Sequence, residues 1–332
     1  MTNTNLIIRY STLIIALFIV FFNMSVIFFP QSIVEAAREG LLLWFLNVLP
    51  ALLPFIIGIN LLLALGVIDF IGRLFAPLMG KCFNVPGVGG FAMVVGFTSG
   101  YPMGAKVVSD LRNSNKITKN QAERLIAFCN NSGPLFILGT ISTMFQSIAI
   151  GHFVLIVHYF SSIITGFLFK YYKYRDDEKY LIEKQNNNKE VINEHKVNIN
   201  FASVFTDSVV RSVNTILTIG GFIVLFNVIL EIVRIVFDID TITATDHLLA
   251  GLLYGFIEIT NGANYLASQE HTMPVVVATA CILSFGGLSI HSQSISFISK
   301  TDINLGIYFF GKIVQTLVTL CLGVGLWGMF FL

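Results

Sequence analysis

Two glycine-broken polar stretches interrupt an otherwise very apolar chain. The first lies within residues 96–134. It holds Gly96, Thr98, Ser99, Gly100, Tyr101, Pro102, Gly104 and Lys106, then Asn130, Asn131, Ser132, Gly133 and Pro134. The second lies within residues 255–293. It holds Gly255, Glu258, Thr260, Asn261, Gly262 and Asn264, then Ser284, Gly286, Gly287, Ser289, His291 and Gln293. In each stretch a polar tip comes first and a second break follows about 30 residues later. The two stretches are offset by about 155–160 residues. Backbone without hydrogen-bond partners is intolerable in lipid, so a break at membrane depth must be buried in protein or line a wet cavity. Paired breaks in corresponding halves point to the substrate site of a transporter.

The apolar background is what makes these breaks meaningful. Of the 332 residues, 55% are hydrophobic and only 12% are charged. That balance places the chain among integral membrane proteins in a lipid bilayer. A net charge of +1 gives no field for nucleic acid. Cys82, Cys129, Cys281 and Cys321 stand apart without CxxC or ligand spacing, so they read as small apolar fillers. No cofactor or metal site is expected. Nor is an enzyme: GxSxG, HExxH and Walker motifs are missing, and no cytosolic segment is long enough for a nucleotide-binding domain.

About 20 apolar residues cross a bilayer as helix. Stretches 6–29, 41–68, 148–170, 213–237 and 303–331 meet that length. Segment 117–147 is interrupted at 130–134 and segment 273–299 at 284–287, so both read as broken helices. Stretches 86–114 and 243–268 have arms too short to span. They read as re-entrant hairpins with tips near Ser99–Tyr101 and Thr260–Gly262. Segments 30–40, 69–83 and 201–212 mix charge with apolar residues at helical spacing and read as interfacial helices. The expected fold is an all-α polytopic membrane protein, an inverted repeat of two re-entrant hairpins and two broken transmembrane helices. Its parts are N-terminal spans and interfacial helices (1–85), a first repeat (86–170), a polar linker (171–200) and a second repeat (201–332). The linker carries six basic and six acidic residues, and by the positive-inside rule it is cytoplasmic, with the N-terminus. The flanks of the second hairpin, 238–247 and 268–273, contain no Lys or Arg, which fits the opposite side.

A helix that restarts mid-membrane presents free N–H groups and a positive dipole end, both attractive to anions. Asn130, Asn131 and Ser132 precede such a restart at Pro134, and Gly286, Gly287 and Ser289 are its counterpart. The first tip offers hydroxyls from Thr98, Ser99 and Tyr101 and close backbone approach at Gly100. Lys106 either snorkels to the cytoplasmic surface or pairs with an anionic substrate. Glu258 between two isoleucines must be paired, protonated or facing a cavity. It suits a coupling cation, a proton or substrate, or else a structural pair with Lys312 or Arg211. Thr260, Asn261, Asn264, Ser289, His291 and Gln293 complete the candidate set. Glu231 and Arg234 are spaced for a local ion pair. Homo-oligomerisation is left open, since Gly323 and Gly325 could pack within or between chains.

Several motifs resemble one family closely. They are Leu53-Pro54-Phe55, Pro77-Leu78-Met79, the run from Phe83 to Phe91, Ser99 to Lys106, Glu123-Arg124-Leu125 and Asn130 to Phe136. Together they resemble the YlbJ (stage V sporulation protein V) family of sporulation integral membrane proteins, which carries a nucleoside-recognition Gate domain. That family is similar in plan to concentrative nucleoside transporters. The resemblance implies export of a small anion, dipicolinate, from the mother cell across the outer forespore membrane, with the cell membrane as the other location. Two alternatives stay open: a nucleoside–cation symporter, and a non-transporting membrane protein of spore assembly.

Overall fold

The structure, a computed structural model, describes residues 3–177, 201–238 and 246–331; most of the polar linker and the start of the second hairpin's flank lie outside these. The described residues form helices and turns, with no strand among them.

Helix α1 (Asn3–Phe28) is followed at Pro30 by α2 (Pro30–Leu43), and the axis bends by 104° between them. Proline suits a first helical turn because it has no N–H to leave unpaired. Helix α2 runs through a π-helical turn at Trp44–Val48 into α3 (Leu49–Ala64). Pro50 cannot donate to the carbonyl one turn back, so the ladder widens there, and Leu49 N–H bonds to Trp44 O. Residues 30–40 therefore do not stand as a separate element but continue into α3. They open one long helix that packs antiparallel along α10 (Phe201–Phe237). A Cβ on Gly40 would lie 3.0 Å from Val224 Cα. Trp44 Nε1 donates to Ile216 O at 3.0 Å, and Asn60 Nδ2 to Ser212 Oγ at 2.9 Å. Helix α10 absorbs residues 201–212 in the same way. Asp207 and Arg211 are exposed there, but the helix continues unbroken past them and through Gly220 and Gly221. Its 37 residues reach about 55 Å at 1.5 Å per residue, longer than a bilayer core.

Helix α4 (Val67–Phe83) leads into the first hairpin, α5 (Gly89–Thr98) and α6 (Met103–Asn113), with a cis peptide bond at Tyr101–Pro102 in its tip. Helix α7 (Lys119–Ile126) then unwinds over 127–133 before a π-helical turn at Phe136–Ile141 and the short α8 (Ser142–Met144). Helix α9 (Ile148–Phe169) closes this half. The second hairpin is α11 (His247–Ile257) and α12 (Ile259–Ala267). Helices α13 (Met273–Phe285) and α14 (Gly287–Ile298) are separated only by Gly286, whose φ of +104° favours glycine. Helix α15 (Leu305–Phe331) ends the chain. Among the described residues, four helical stretches are long and apolar enough to cross a membrane: α9, α10, α13–α14 and α15. The bent α1–α2 pair makes up to five.

Two buried apolar clusters interlock the halves. One joins α3–α7 to α10 and the start of α15; the other joins α9 to α12–α14. Outward, Phe18, Leu42, Leu74, Phe160, Leu217, Phe310 and Leu317 are exposed. Exposed large side chains spread over so many helices are what lipid, not water, accommodates.

The first hairpin meets the unwound segment at backbone distance. A Cβ on Gly96 would lie 1.7 Å from Cys129 O, and one on Gly104 1.9 Å from the same oxygen. Gly100, at φ +85°, seats its Cα against Gly133 N. Gly96→Ala should therefore force the hairpin off the break and cost about 1–3 kcal/mol. Gly58→Ala is the contrast. Nothing lies within 4 Å of that added Cβ, so this helix-interior change should stabilise by about 0.5–1 kcal/mol. Melting temperatures of the purified variants in detergent should move in opposite directions.

Candidate functional site

The unwound segment 127–133 has no helical partner, so its polar groups are met by side chains from three helices, α9, α14 and α15, and by a backbone N–H of α6. Asn130 Oδ1 accepts from Ala105 N at 3.3 Å, while Asn130 Nδ2 donates to Ser294 Oγ at 2.8 Å and lies 3.5 Å from Tyr308 OH. The Asn130 carbonyl accepts from Lys312 Nζ. Asn131 Nδ2 donates to Phe128 O at 2.7 Å and Ser162 Oγ at 2.9 Å; its Oδ1 accepts from Gln315 Nε2 at 2.9 Å. Ser132 N–H donates to His158 Nε2 at 3.1 Å. A backbone N–H is always a donor, so Nε2 carries the lone pair and the ring proton sits on Nδ1. His158 Nδ1 therefore donates to Ser284 Oγ at 2.8 Å. That single ring joins the first break to the end of α13, beside the second.

Some buried polar atoms find no partner. Among the described residues these include Ser99 Oγ, Tyr101 OH, Ser132 Oγ and His291 Nε2. Three of them sit where the first tip meets the first break. Tyr101 faces Ser132 without closing a hydrogen bond. The fourth, His291, is held by its other nitrogen, which lies 2.9 Å from Tyr308 OH. Native proteins leave few buried polar groups unsatisfied, so such a concentration marks unspent binding capacity.

The remaining candidate residues divide. Thr98 is exposed and bonds to its own helix at Val94 O. Lys106 is buried and does not snorkel to the surface. Its ammonium lies 2.8 Å from Asp110 Oδ2 and 3.1 Å from Asn60 Oδ1, so it already has a counter-charge. Ser289 and Gln293 are buried one turn apart on α14 and bond to each other at 3.3 Å. Glu258 is the second tip itself, two residues before Thr260. Its carboxylate caps α12 by accepting from Asn261 N at 2.9 Å and Asn261 Nδ2 at 3.1 Å. Asn261 also donates to Asn227 Oδ1 at 3.1 Å. Neither Lys312 nor Arg211 pairs with Glu258. Asn264 is exposed and lines an open cavity of about 270 Å³ with Asn261, Arg234, Tyr254 and Tyr265. Arg234 bonds to Glu231 at 3.1 Å, as its spacing required.

Sequence reasoning missed His158, Ser294, Tyr308 and Gln315, and also Thr319, whose hydroxyl lies 2.8 Å from Ser161 Oγ and from the Ser284 Oγ that His158 contacts. It weighed Lys312 only as a partner for Glu258. A lysine inside an apolar span is itself a signal, and it was available.

At one end of the bundle, charge is handled by pairing. Arg124, 1% exposed, lies 2.5 Å from Asp177 and donates to Tyr172 O and Asn84 O at 2.7 and 2.9 Å. Glu123, fully buried, accepts from Asn304 N at 3.1 Å, with Lys173 at 3.7 Å and Lys119 at 3.9 Å. Arg112 grips Asp302 at 2.8 and 2.9 Å and holds that carboxyl below its ordinary range. These contacts tie α6, α7, α9 and the α14–α15 turn together. Removing one partner of the buried pair strands the other charge. Asp177→Ala should cost about 3–5 kcal/mol, whereas Arg124→Met with Asp177→Leu should recover most of it. Melting of the single and double variants checks this.

The fold and site define an all-helical integral membrane protein with a glycine-locked hairpin seated on an unwound, polar segment. A profile for the Gate family, described as nucleoside recognition, matches residues 45–167. The chain is 33% identical over 329 residues to the sporulation integral membrane protein YlbJ of Bacillus subtilis (strain 168). That similarity covers 92% of this chain and 80% of that protein. No solved structure matches it significantly. The chain belongs to the YlbJ family of sporulation integral membrane proteins.

Proposed function

We propose that this protein is a secondary transporter or facilitator of a small anionic solute, not an enzyme. On this reading the solute is dipicolinate, exported from the mother cell across the outer forespore membrane during sporulation. The observation that carries it is the unspent hydrogen-bonding capacity of Ser99, Tyr101 and Ser132 where the hairpin tip meets the unwound segment. Unsatisfied polar groups deep in a membrane protein are costly, and a polar ligand satisfies them. Membership in a sporulation family supports the setting. The arrangement of hairpin then broken helix in both halves supports an inverted repeat, with the solute held near the midplane. Arg112, Lys119, Arg124 and Lys173 at one end of the bundle support a cytoplasmic placement of that end and of loop 171–200. Glu258, buried at the second tip without a basic partner, is the group suited to a coupling cation or proton.

The Gate description and the Glu258–Asn261 tip favour a nucleoside–cation symporter as the second reading. Flux into liposomes carrying the purified protein separates the two. Dipicolinate should move, and Tyr101→Phe and Ser132→Ala should each slow it several-fold at equal reconstituted protein. Sodium-dependent uridine uptake without dipicolinate flux would support the symporter. Movement of neither compound by folded protein would support a role in assembly.

A further inference from the structure

Three basic side chains are buried among the described residues: Lys106, Arg124 and Lys312. Lys106 has Asp110 and Arg124 has Asp177 as a carboxylate partner. Lys312 has none within 4 Å, although it is only 1% exposed. Its ammonium is held by two neutral acceptors, Asn130 O and Gln315 Oε1. The fold places it there deliberately. A Cβ on Gly311 would lie 2.7 Å from Ala127 Cα, so α15 presses directly against the unwound segment and Lys312 reaches into it. It sits about 10 Å from the start of a 27-residue helix that is long and apolar enough to cross a bilayer.

A buried cation without a counter-charge is destabilising, because neutral dipoles replace only part of its hydration. Two donors beside it are also unspent. Ser132 Oγ belongs to the segment that Lys312 grips, and it has no partner. His291 Nε2 has none either, and its donor role follows from the bond at Nδ1. We take the Tyr308 hydroxyl, 2.9 Å away, as the donor to His291 Nδ1. The ring proton is then on Nε2. Asn130 ties these groups together: its carbonyl holds Lys312, its amide lies 3.5 Å from the Tyr308 hydroxyl that His291 contacts, and Ser132 is two residues further along the same segment.

We infer that Lys312, Ser132 and His291 form the binding site for a carboxylate group of the transported solute. The ammonium supplies the charge and the other two supply directed hydrogen bonds. The carboxylate replaces Asn130 O as the partner of Lys312 when the hairpin tip withdraws. This rests on the proposed carriage of an anion and names the residue that selects it, a role Lys106 cannot fill while it is paired with Asp110.

The test compares binding of dipicolinate and of its uncharged diamide, pyridine-2,6-dicarboxamide, to detergent-purified protein. Wild type should prefer dipicolinate. Lys312→Gln should weaken dipicolinate about 10- to 100-fold, the range of one hydrogen bond to a charged group, and change diamide binding less than about threefold. Lys312→Arg should keep part of the preference. A folded Lys312→Gln that binds dipicolinate as tightly as wild type overturns the site. If that variant does not fold, wild-type protein decides: equal affinity for dianion and diamide, or no binding of dipicolinate, overturns it. Wild type that binds dipicolinate through Lys312 but never moves it in liposomes would sink the transport reading and leave the site intact.

Discussion

Seven residues of unwound backbone, 127–133, inside a membrane protein set the terms for everything around them. In water such a segment would be hydrated; in the bilayer each N–H and C=O must be met by protein. The chain meets them with Asn130 and Asn131, whose amides both donate and accept, and with His158, Ser162, Ser294, Lys312 and Gln315 from three other helices. The first hairpin is then free to come to backbone distance because only glycines face Cys129 O. The break is therefore a hub that fixes the positions of α6, α9, α14 and α15.

The two halves solve the same problem differently. The second break is a pair of left-handed glycines, Gly286 and Gly287, and leaves α13–α14 as one candidate span. Its hairpin is locked mainly by its own arms, where a Cβ on Gly262 would lie 2.3 Å from Gly255. One oxygen of its tip carboxylate, Oε2, caps α12. In the first half the hairpin depends on the unwound segment instead, and its tip keeps Ser99 and Tyr101 without partners. A tip whose polar groups are engaged, by its own cap and by Asn227 of α10, and a tip that keeps hydroxyls without partners have different freedom to move. The second kind is suited to opening when a ligand competes for its contacts.

The glycine, proline and asparagine signals made the breaks legible in the sequence, because those residues act locally and their effect does not wait for tertiary contacts. Hairpin 86–114 and the restart at Pro134 follow from them directly. Charge was a poorer guide. Asp207 and Arg211 suggested an interfacial helix at 201–212, yet a continuous ladder carries them on the outer face of α10. The second tip falls at Glu258, two residues before Thr260, because Glu258 is extended and its carboxylate accepts from the first turn of α12. The partners of the hub were not legible at all. His158, Gln315 and Thr319 lie in apolar runs and gain meaning only when α9 and α15 are brought to residue 130. No spacing rule reports that proximity.

The three buried cations show how the same charge serves two ends. Arg124 and Lys106 are neutralised by carboxylates on their own side of the hub, so each holds two or more elements in one arrangement. Lys312 is bound by a backbone carbonyl that belongs to the break itself. An anion that takes Lys312 removes that tie, and the freed Asn130 carbonyl must find another donor. Charge compensation and the integrity of the unwound segment are thus two readings of one contact. If the proposed site is filled, occupancy and hairpin position cannot vary independently, because the ammonium serves the ligand or the backbone but not both equally. A carrier built this way needs no separate device to sense its cargo: the group that neutralises the cargo also holds the break closed without it.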